Sequence, residues 1–480
     1  MDELLNSIKL VPSQEQQTIL NTFKSGDELI IIDSVAGSAK STTLKMIAND
    51  NPNRTFKYIV FSKMQQKEAI EAMPSNVDPR TIHSLAYEIV RAFVGTIEIK
   101  SNRQIIYLSK VYSKKTDTDI LIDLLDRYCA SSIQKVEDFV DTFENLANKS
   151  NYSNALKKIM YFMLDNKAFS HNGYLKWASL LVQSNQVNYE VDVLAIDEAN
   201  DAIGSTAILF ENVKAKQKIV VGDKNQEIFG FMHTESMFKF YSDVGTHLKL
   251  TKSYRCNEAI ATVVQDFGKD FFDDDFVFVG TKHEDTSIDT TLILTRTNNE
   301  LANYVLSMTS EGKKFNLTRN LDAVFQDYIS FRGIGAKANK LIGDMSYLNE
   351  DIKEYHNSQL LKMDYKSCYD YLDEVYEKSE EYAIFKKQAF SRKIEDFVIL
   401  KDIASEAFKT KEKHRYVLST AHSSKGLTAD KVILDSKLIS WFYDNSNNPE
   451  AMRLAYVAAT RAKHEVDLNF MIKLIRDKKC

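Results

Sequence analysis

Short apolar runs alternate with longer polar or amphipathic segments along the chain. The first runs lie at residues 28–33, 57–62, 191–197 and 217–222. Each is followed by polar or helix-periodic sequence, which is typical of the parallel sheet of an α/β protein. A second series lies at residues 246–251, 291–295, 415–420 and 431–435. The pattern therefore predicts two α/β cores in tandem.

Two long stretches at helical period interrupt these cores and predict a helical insertion in each. The first insertion is expected at residues 86–186 and the second at residues 305–408. The first core is then expected at residues 1–85 and 187–245. The second core is expected at residues 246–304 and 409–480.

Composition narrows the class of protein only slightly. The chain has 480 residues, of which 44% are hydrophobic and 27% charged, as in ordinary globular proteins. The net charge of −5 means that nucleic-acid binding would need a locally basic groove. Four cysteines without C-x-x-C spacing exclude an obvious zinc site and fit a reducing compartment. With no long apolar run and no signal-like start, the sequence predicts a cytoplasmic protein.

The stretch LIIIDSVAGSAKSTTLKMI, residues 29–47, is an apolar strand followed by a small-residue turn and a helix. It follows the phosphate-loop pattern G-x-x-x-x-G-K-[ST], with Ser34 and Ala39 at the glycine positions. Backbone N–H groups at such a turn favour phosphate, so Lys40 is expected to reach the terminal phosphates and Ser41 to hold Mg²⁺. The alternative is a plain strand, turn and helix with a surface lysine.

Ala39 is the smallest departure from the glycine of this pattern. It costs little if its φ is negative and ~1–2 kcal/mol if its φ is positive. Because Ser34 also departs from the pattern, we expect a loop that has adapted, with negative φ at Ala39.

The stretch VDVLAIDEANDA, residues 191–202, is an apolar strand that delivers Asp197 and Glu198 at its end. Ligands of open α/β sheets collect at the carboxyl ends of strands. We expect Asp197 to hold Mg²⁺ and Glu198 to orient or deprotonate an attacking water. The alternative is a helix cap, since both residue types favour first turns.

The stretch KIVVGDKNQEIFGF, residues 218–231, is a third strand that ends in polar and aromatic residues. Asp223 and Gln226 are placed to sense the phosphate end of a nucleotide. Phe229 and Phe231 follow, and an exposed Phe231 would form a stacking platform for a base. The alternative for these rings is a place in the core.

Further stretches complete a set of motifs in one order along the chain. The set reads PSQEQQTIL, SVAGSAKST, VFSKMQQKEA, RTIHSLAYEIV, IDEANDA, VGDKNQEIFGF, LTKSYRCN, LSTAHSSKGLTADKV and MRLAYVAATRAKHEV. It resembles the Q motif, motifs I, Ia and Ib, the DEAQD box and motifs III to VI of superfamily 1 DNA helicases of the UvrD/Rep type. Local features are similar to the F-box DNA helicase branch.

The resemblance implies an α/β fold of two tandem RecA-like P-loop cores, with a nucleotide held between them. The catalytic residues implied are Glu198, Gln226, Arg255 and Arg461. The nucleotide-binding residues implied are Gln16, Ala36, Gly37, Ser38, Ala39, Lys40, Ser41, Thr42, Tyr254 and Gly426. The metal ligands implied are Ser41 and Asp197. The nucleic-acid contacts implied are Phe61, Lys63, His83, Phe231 and His422.

The function implied is an ATP- and Mg²⁺-dependent helicase that moves 3′ to 5′ on single-stranded DNA and unwinds forked duplex. A monomer that works in DNA replication or repair is expected. Ala39, Met232 and Thr428 depart from the family pattern and predict weaker or less selective nucleotide binding, not its absence. Two alternatives remain: a remodeller that strips proteins from DNA without processive unwinding, and a DNA-binding module with weakened catalysis.

Overall fold

A computed structural model describes residues 11–111, 117–230, 235–332, 386–387 and 389–479 of the protein. The chain divides into two units, Met1–Tyr254 and Arg255–Cys480. No helix within the described ranges is long and apolar enough to cross a membrane.

Six parallel strands form the central sheet of the first unit, in the order β3-β2-β6-β7-β1-β8. They are β1 Leu29–Ser34, β2 Phe56–Val60, β3 Val77–Thr81, β6 Glu190–Ile196, β7 Lys214–Gly222 and β8 Thr246–Leu250. β4 Glu98–Ile99 and β5 Ala168–Phe169 pair separately. β1 is buried on both faces, with Ile31 in one hydrophobic cluster and Ile30 and Ile32 in the other. Such strands are nearly continuous in apolar residues, as this one is.

The helices of the first unit flank this sheet and fill the segment between β3 and β6. They are α1 Gln14–Ser25, α2 Lys40–Asn49, α3 Lys63–Ala72, α4 Ile82–Val94, α5 Asn102–Ser109, α6 Thr118–Ala130, α7 Val136–Asp141, α8 Lys149–Asp165, α9 His171–Gln183, α10 Gly204–Asn212 and α11 Met237–Phe240. The segment predicted as an insertion, 86–186, begins inside α4 and ends after α9. Leu125 and Leu156 of this segment share one cluster with Ile31 and Ile59 of the sheet. The segment is thus packed into the core of the unit.

The expectation that the second core begins at residue 246 is wrong. β8 pairs in parallel with β1, from Ile30 opposite Thr246 to Ser34 opposite Leu250. The strand therefore completes the edge of the first sheet, and the first unit extends to Tyr254. An isolated apolar run does not reveal its strand neighbour, because pairing is decided by tertiary packing.

The second unit contains a parallel sheet in the order β10-β11-β9-β12-β13. Its strands are β9 Thr291–Thr295, β10 Phe315–Leu317, β11 Tyr416–Thr420, β12 Ala429–Leu434 and β13 Ala462–Val466. Its described helices are α12 Glu258–Phe271, α13 Asn298–Ser310, α14 Asp322–Arg332, α15 Ile394–Lys409, α16 Ser436–Asp444, α17 Pro449–Ala459 and α18 Asn469–Lys479. The predicted fold class, α/β with tandem parallel-sheet cores, is confirmed.

The predicted start of the second insertion, residue 305, is wrong. α13 crosses residue 305, and β10 follows it and pairs with β11. β10 has three residues, too few to show a clear period in the sequence. Residues 333–385 of the predicted insertion lie outside the described residues.

Candidate active site and nucleic-acid interface

The loop after β1 turns sharply into α2. Gly37 has φ 73° and Ala39 has φ 63°, both in the left-handed region. Backbone hydrogen bonds hold the loop in place: the Val35 N–H donates to Leu250 O at 2.9 Å and the Tyr254 N–H to Gly37 O at 2.8 Å. A strand that turns this way into a helix presents the N–H groups that bind phosphate.

The expectation of a negative φ at Ala39 is wrong. The residue precedes the first residue of α2 and has φ 63° and ψ 39°, the left-handed conformation that glycine adopts freely. An alanine there costs roughly 1–2 kcal/mol relative to an ordinary conformation. The loop therefore adopts, at Ala39, the left-handed turn that glycine favours in the phosphate-loop pattern, at a cost in local backbone strain.

Ser38 has a buried hydroxyl inside this loop. The side chain is 1% exposed, and its Oγ has no hydrogen-bond partner among the residues that the structure describes. Ala36, two residues earlier, is also buried, while Thr42 in the first turn of α2 is half-buried. A buried hydroxyl without a partner is costly, and a phosphate oxygen would satisfy it.

The carboxylate of Asp197, at the end of β6, lies against the first turn of α2. Its Oδ2 accepts hydrogen bonds from Ser41 Oγ at 3.2 Å and Tyr58 Oη at 2.8 Å. Burial, and then the charge of Glu198, raise the pKa of Asp197, while Lys40 opposes the shift. A hydroxyl and a carboxylate oxygen in contact are hard ligands of the kind that Mg²⁺ prefers, so these two residues fit the predicted metal site.

Glu198 forms an ion pair with Lys40. The Lys40 Nζ to Glu198 Oε1 distance is 3.4 Å, and both side chains are largely buried. Glu198 has φ 50°, so it shares the left-handed conformation of Ala39. Residues held in this conformation cluster at functional sites, because the surrounding structure must enforce it.

Gln226 follows β7, the strand between β6 and β1. Its Nε2 donates to Asp223 Oδ2 at 2.8 Å within a short 3-10 turn, Lys224–Gln226. Lys224 Nζ lies 3.5 Å from Asp33 Oδ2 at the end of β1. The ends of β1, β6 and β7 thus bring the predicted phosphate loop, acidic pair and sensor to one edge of the sheet.

Asn200 is a site residue that sequence reasoning missed. Its Oδ1 accepts from the Asp223 N–H at 3.1 Å, and its Nδ2 donates to Gln226 O at 3.3 Å. The signal that could have found it is its place in the stretch IDEANDA, two residues after Glu198.

Gln16 occupies a structural position between α1 and α2. Its Oε1 accepts from the Ser13 N–H at 3.0 Å, and its Nε2 donates to Thr43 Oγ1 at 3.0 Å. The Gln16 N–H donates in turn to Ser13 Oγ, which completes the capping box of α1. The predicted role of Gln16 in nucleotide binding stays a prediction.

Tyr254 lies at the end of the first unit, with its ring 40% exposed. Lys252 Nζ lies 5.2 Å from the centre of this ring, within the range of a cation–π contact. Because the Tyr254 N–H donates to Gly37 O in the loop after β1, the backbone that carries this ring is fixed to that loop. The predicted role of Tyr254 in nucleotide binding stays a prediction.

An aromatic pair, with one ring exposed and the other half-buried, includes Phe229 just after the 3-10 turn Lys224–Gln226, the predicted sensor turn. The Phe61 and Phe229 rings stack 6.0 Å apart with an interplanar angle of 9°, and Phe61 is 48% exposed. Lys63, the first residue of α3, is also exposed. Aromatic rings and cations on a surface are groups that bind single-stranded nucleic acid. Phe231 and Met232 lie outside the described residues.

His83 lies in a cluster of rings between α4 and α9. Its ring meets His171 at 5.8 Å and Tyr174 at 5.6 Å, edge to face. Burial, followed by His171, lowers the pKa of His83 to about 4. The imidazole is therefore neutral at pH 7, and a contact with DNA would be made without a positive charge.

Arg255 and Arg461 both contact Thr460 in the second unit. Arg255 Nη1 donates to Thr460 O at 3.2 Å, and Arg461 Nη2 donates to Thr460 Oγ1 at 3.2 Å. Arg461 is 1% exposed, and its Nε also donates to Val457 O at 2.9 Å. The structure thus brings the predicted arginines together, with Arg461 held by its own unit.

His422 follows β11 in a 3-10 turn, His422–Ser424. Burial, and then the charge of Arg296, lower the pKa of His422 to about 4. The Arg296 guanidinium lies 4.3 Å from the centre of the Trp441 ring.

Gly426 has φ 86°, which requires glycine, and Thr428 is exposed.

Comparison with known proteins supplies the family. The family profile of the UvrD-like helicase C-terminal domain matches residues 42–471. The chain belongs to the UvrD-like helicase family. The resemblance inferred from the motifs is therefore confirmed.

Two curated relatives of this UvrD-like helicase family member are F-box helicases. The chain is 25% identical to F-box DNA helicase 1 of Gallus gallus, over 96% of this chain and 49% of that protein. It is 22% identical to F-box DNA helicase protein 1 of Schizosaccharomyces pombe, over 52% of this chain and 32% of that protein. The chain thus spans half or less of the length of these relatives.

Proposed function

We propose that this UvrD-like helicase family member hydrolyses ATP to move 3′ to 5′ along single-stranded DNA and to unwind forked duplex. The observation that carries the proposal is the meeting of three strand ends at one edge of the first sheet. There Lys40 pairs with Glu198 at 3.4 Å and Ser41 bonds Asp197 at 3.2 Å. A basic phosphate ligand, a metal-binding pair and a general base are the parts that phosphoryl transfer to water requires.

Each group of the first unit has a chemical task in this proposal. The loop amides, the Ser38 hydroxyl and Lys40 bind the phosphates. Ser41 and Asp197 would hold Mg²⁺, which supplies positive charge to the phosphate oxygens when bound. Glu198 orients water and accepts its proton, and its pairing with Lys40 holds the carboxylate near the phosphate loop.

In the second unit, Arg255 and Arg461 are proposed to stabilise negative charge on the transferring phosphoryl group. Arginines in this role are worth ~10³–10⁵ in rate. Their shared contact with Thr460 makes motif VI the support for both side chains.

The proposed track for DNA includes the Phe61–Phe229 stack and Lys63 of the first unit. Stacking on aromatic rings is tolerant of sequence, because every base has a π-face. Phe231, His83 and His422 belong to this track as predictions. Forked DNA, a role in replication or repair, a monomeric state and a cytoplasmic location complete the proposal.

A second candidate, a DNA-binding module with weakened catalysis, is favoured by one observation. Ala39 holds its left-handed conformation with φ 63°, and the cost of this conformation falls on the loop that binds phosphate. Against it stands the complete set of Lys40, Asp197 and Glu198 at the strand ends.

An ATP hydrolysis assay with and without single-stranded DNA tests the proposal. We expect strong stimulation by DNA. Lys40→Ala or Glu198→Gln should lower turnover by about 10²-fold or more, since each removes a group that acts on the reacting centre, while binding to single-stranded DNA is retained. Lys24→Ala, at an exposed lysine paired with Asp50, is the matched control. Near-normal turnover in Lys40→Ala would overturn the site, and an absence of turnover in the parent would favour the weakened module.

A further inference from the structure

Asn200 is fully buried, at 0% exposed, between the ends of β6 and β7. Its Oδ1 accepts from the Asp223 N–H at 3.1 Å. Its Nδ2 donates to Gln226 O at 3.3 Å and to Asp201 Oδ1 at 3.1 Å. The side-chain amide of Asn200 therefore links Asp223 and Gln226, at the two ends of the sensor turn, to the segment after β6 that contains Asp197 and Glu198.

Gly222 shows how closely the two strand ends approach at this amide. A Cβ built on Gly222 would lie 2.6 Å from Asn200 Oδ1 and 3.0 Å from the Ala199 nitrogen. Real Cβ atoms do not approach this closely, so only glycine fits opposite the asparagine.

The segment held by Asn200 continues directly into the aromatic pair. Gln226 is followed three residues later by Phe229, whose ring stacks on Phe61 at 6.0 Å. The sensor side chain is itself fixed to Asp223 at 2.8 Å. A displacement of the turn at Asp223 and Gln226 would therefore be passed along a short, constrained segment to the Phe229 ring.

We infer that Asn200 is a positioning residue that couples the nucleotide end of segment 223–229 to its DNA end. The inference rests on the proposed function for its consequences in catalysis. Its side chain acts through Gln226 and Phe229. Loss of the amide would then leave Lys40, Ser41 and Glu198 in place to bind nucleotide while DNA no longer accelerates turnover.

The test compares Asn200→Leu with the parent protein in two measurements. The first is ATP hydrolysis over a range of ATP, with and without single-stranded DNA. We expect the stimulated kcat to fall by about 10²-fold, the size of effect that misplacement of a catalytic group produces, with little change in the KM for ATP. The second is hydrogen exchange of the amides in 223–229, which should become faster in the variant.

Matched variants separate positioning from stability. Asn212→Leu alters an asparagine of α10 whose Nδ2 donates to the helix carbonyl of Ile208 at 2.8 Å, and should leave stimulation unchanged. Asn200→Asp keeps the shape and the acceptor for the Asp223 N–H but loses the donor to Gln226 O. It should also lose stimulation, and it decides the question if Asn200→Leu does not fold.

The possible failures are distinguishable. If the parent is stimulated by DNA and the folded Asn200 variants match it, the inference is wrong and the proposed function stands. If the parent shows no stimulation, the proposed function fails. The inference is then judged by hydrogen exchange, and unchanged exchange of 223–229 would overturn it.

Discussion

Lys40 and Glu198 form an ion pair at 3.4 Å although they lie 158 positions apart in the chain. The backbone is left-handed at or next to both residues: Ala39, just before Lys40, has φ 63°, and Glu198 itself has φ 50°. Strain of this kind persists only where the surrounding structure enforces it. The Lys40–Glu198 ion pair therefore lies where the fold accepts a loss of stability in order to hold these two side chains in position.

Ala39→Gly should raise the free energy of unfolding by up to ~1 kcal/mol. The gain comes from relief of the left-handed alanine, less the added entropy of the unfolded chain. Ala36→Gly, in the same loop but outside the left-handed region, should instead lower stability by a few tenths to ~1 kcal/mol. Urea unfolding measures both variants, and equal losses in the two would show that Ala39 carries no strain.

Phe229→Ala should weaken binding to single-stranded DNA by ~1–3 kcal/mol, the value of one stacking contact. Basal ATP hydrolysis should remain, because Lys40 and Glu198 are untouched. Fluorescence anisotropy with a labelled oligonucleotide measures the change, and Phe93→Ala, at an exposed ring on α4, is the control. An unchanged affinity for single-stranded DNA would show that the Phe229 ring serves only in packing and does not stack on a base.

The prediction for Phe231 stays open beside this one. Phe231→Ala is expected to keep DNA-stimulated hydrolysis and to lose most unwinding of a duplex with a 3′ tail. Unwinding equal to the parent would contradict a stacking role for this ring.

Acidification should destabilise the protein through His83 and His422. Their pKa values are lowered to about 4 in the folded protein by burial, whereas the unfolded chain protonates them near 6.5. The unfolded state therefore binds more protons between these values, so stability is present above pH 6.5 and is lost as the pH falls toward 4.

Each histidine should contribute on the order of 1–3 kcal/mol to this loss. His83→Gln and His422→Gln should flatten the dependence of melting temperature on pH between 7 and 5, and the exposed His247→Gln should not. A parent whose melting temperature does not fall over this range would contradict the buried, neutral imidazoles.

The positions of the strand ends could be predicted from the sequence, because each apolar run stops at small or polar residues. Lys40, Ser41 and Asp197 are therefore expected on the carboxyl edge of a sheet, and the structure brings their side chains together. The φ of Ala39 could not be predicted in this way, since a residue type limits but does not determine a backbone angle. Only the path of the chain into α2 decides it.

Tertiary partners explain the remaining differences. β8 pairs with β1 and β10 with β11 through contacts that no local pattern shows. The contacts of Asn200 could not be predicted from the sequence, because they depend on β6 and β7 being neighbours in the sheet. Arg461 is predicted from its motif, but its bond to Val457 O depends on the turn after α17.

Arg461→Lys should lower both ATP hydrolysis and stability. The lysine would lose the guanidinium bonds to Val457 O and Thr460 Oγ1, and bonds to charged groups are worth about 1.5–3 kcal/mol each. Arg255→Lys, at a half-buried arginine, should lower hydrolysis with a smaller effect on unfolding. Equal melting temperatures for Arg461→Lys and the parent would contradict a supporting role for these bonds.

Directed movement on DNA is the central claim, and displacement of streptavidin from biotinylated single-stranded DNA tests it most directly. ATP-driven opening and closing that grips one strand should produce steps in one direction. We expect ATP-dependent displacement from the 5′ end and much slower displacement from the 3′ end, with neither in Lys40→Ala. A protein that hydrolyses ATP but frees streptavidin from neither end, or only from the 3′ end, would contradict the account.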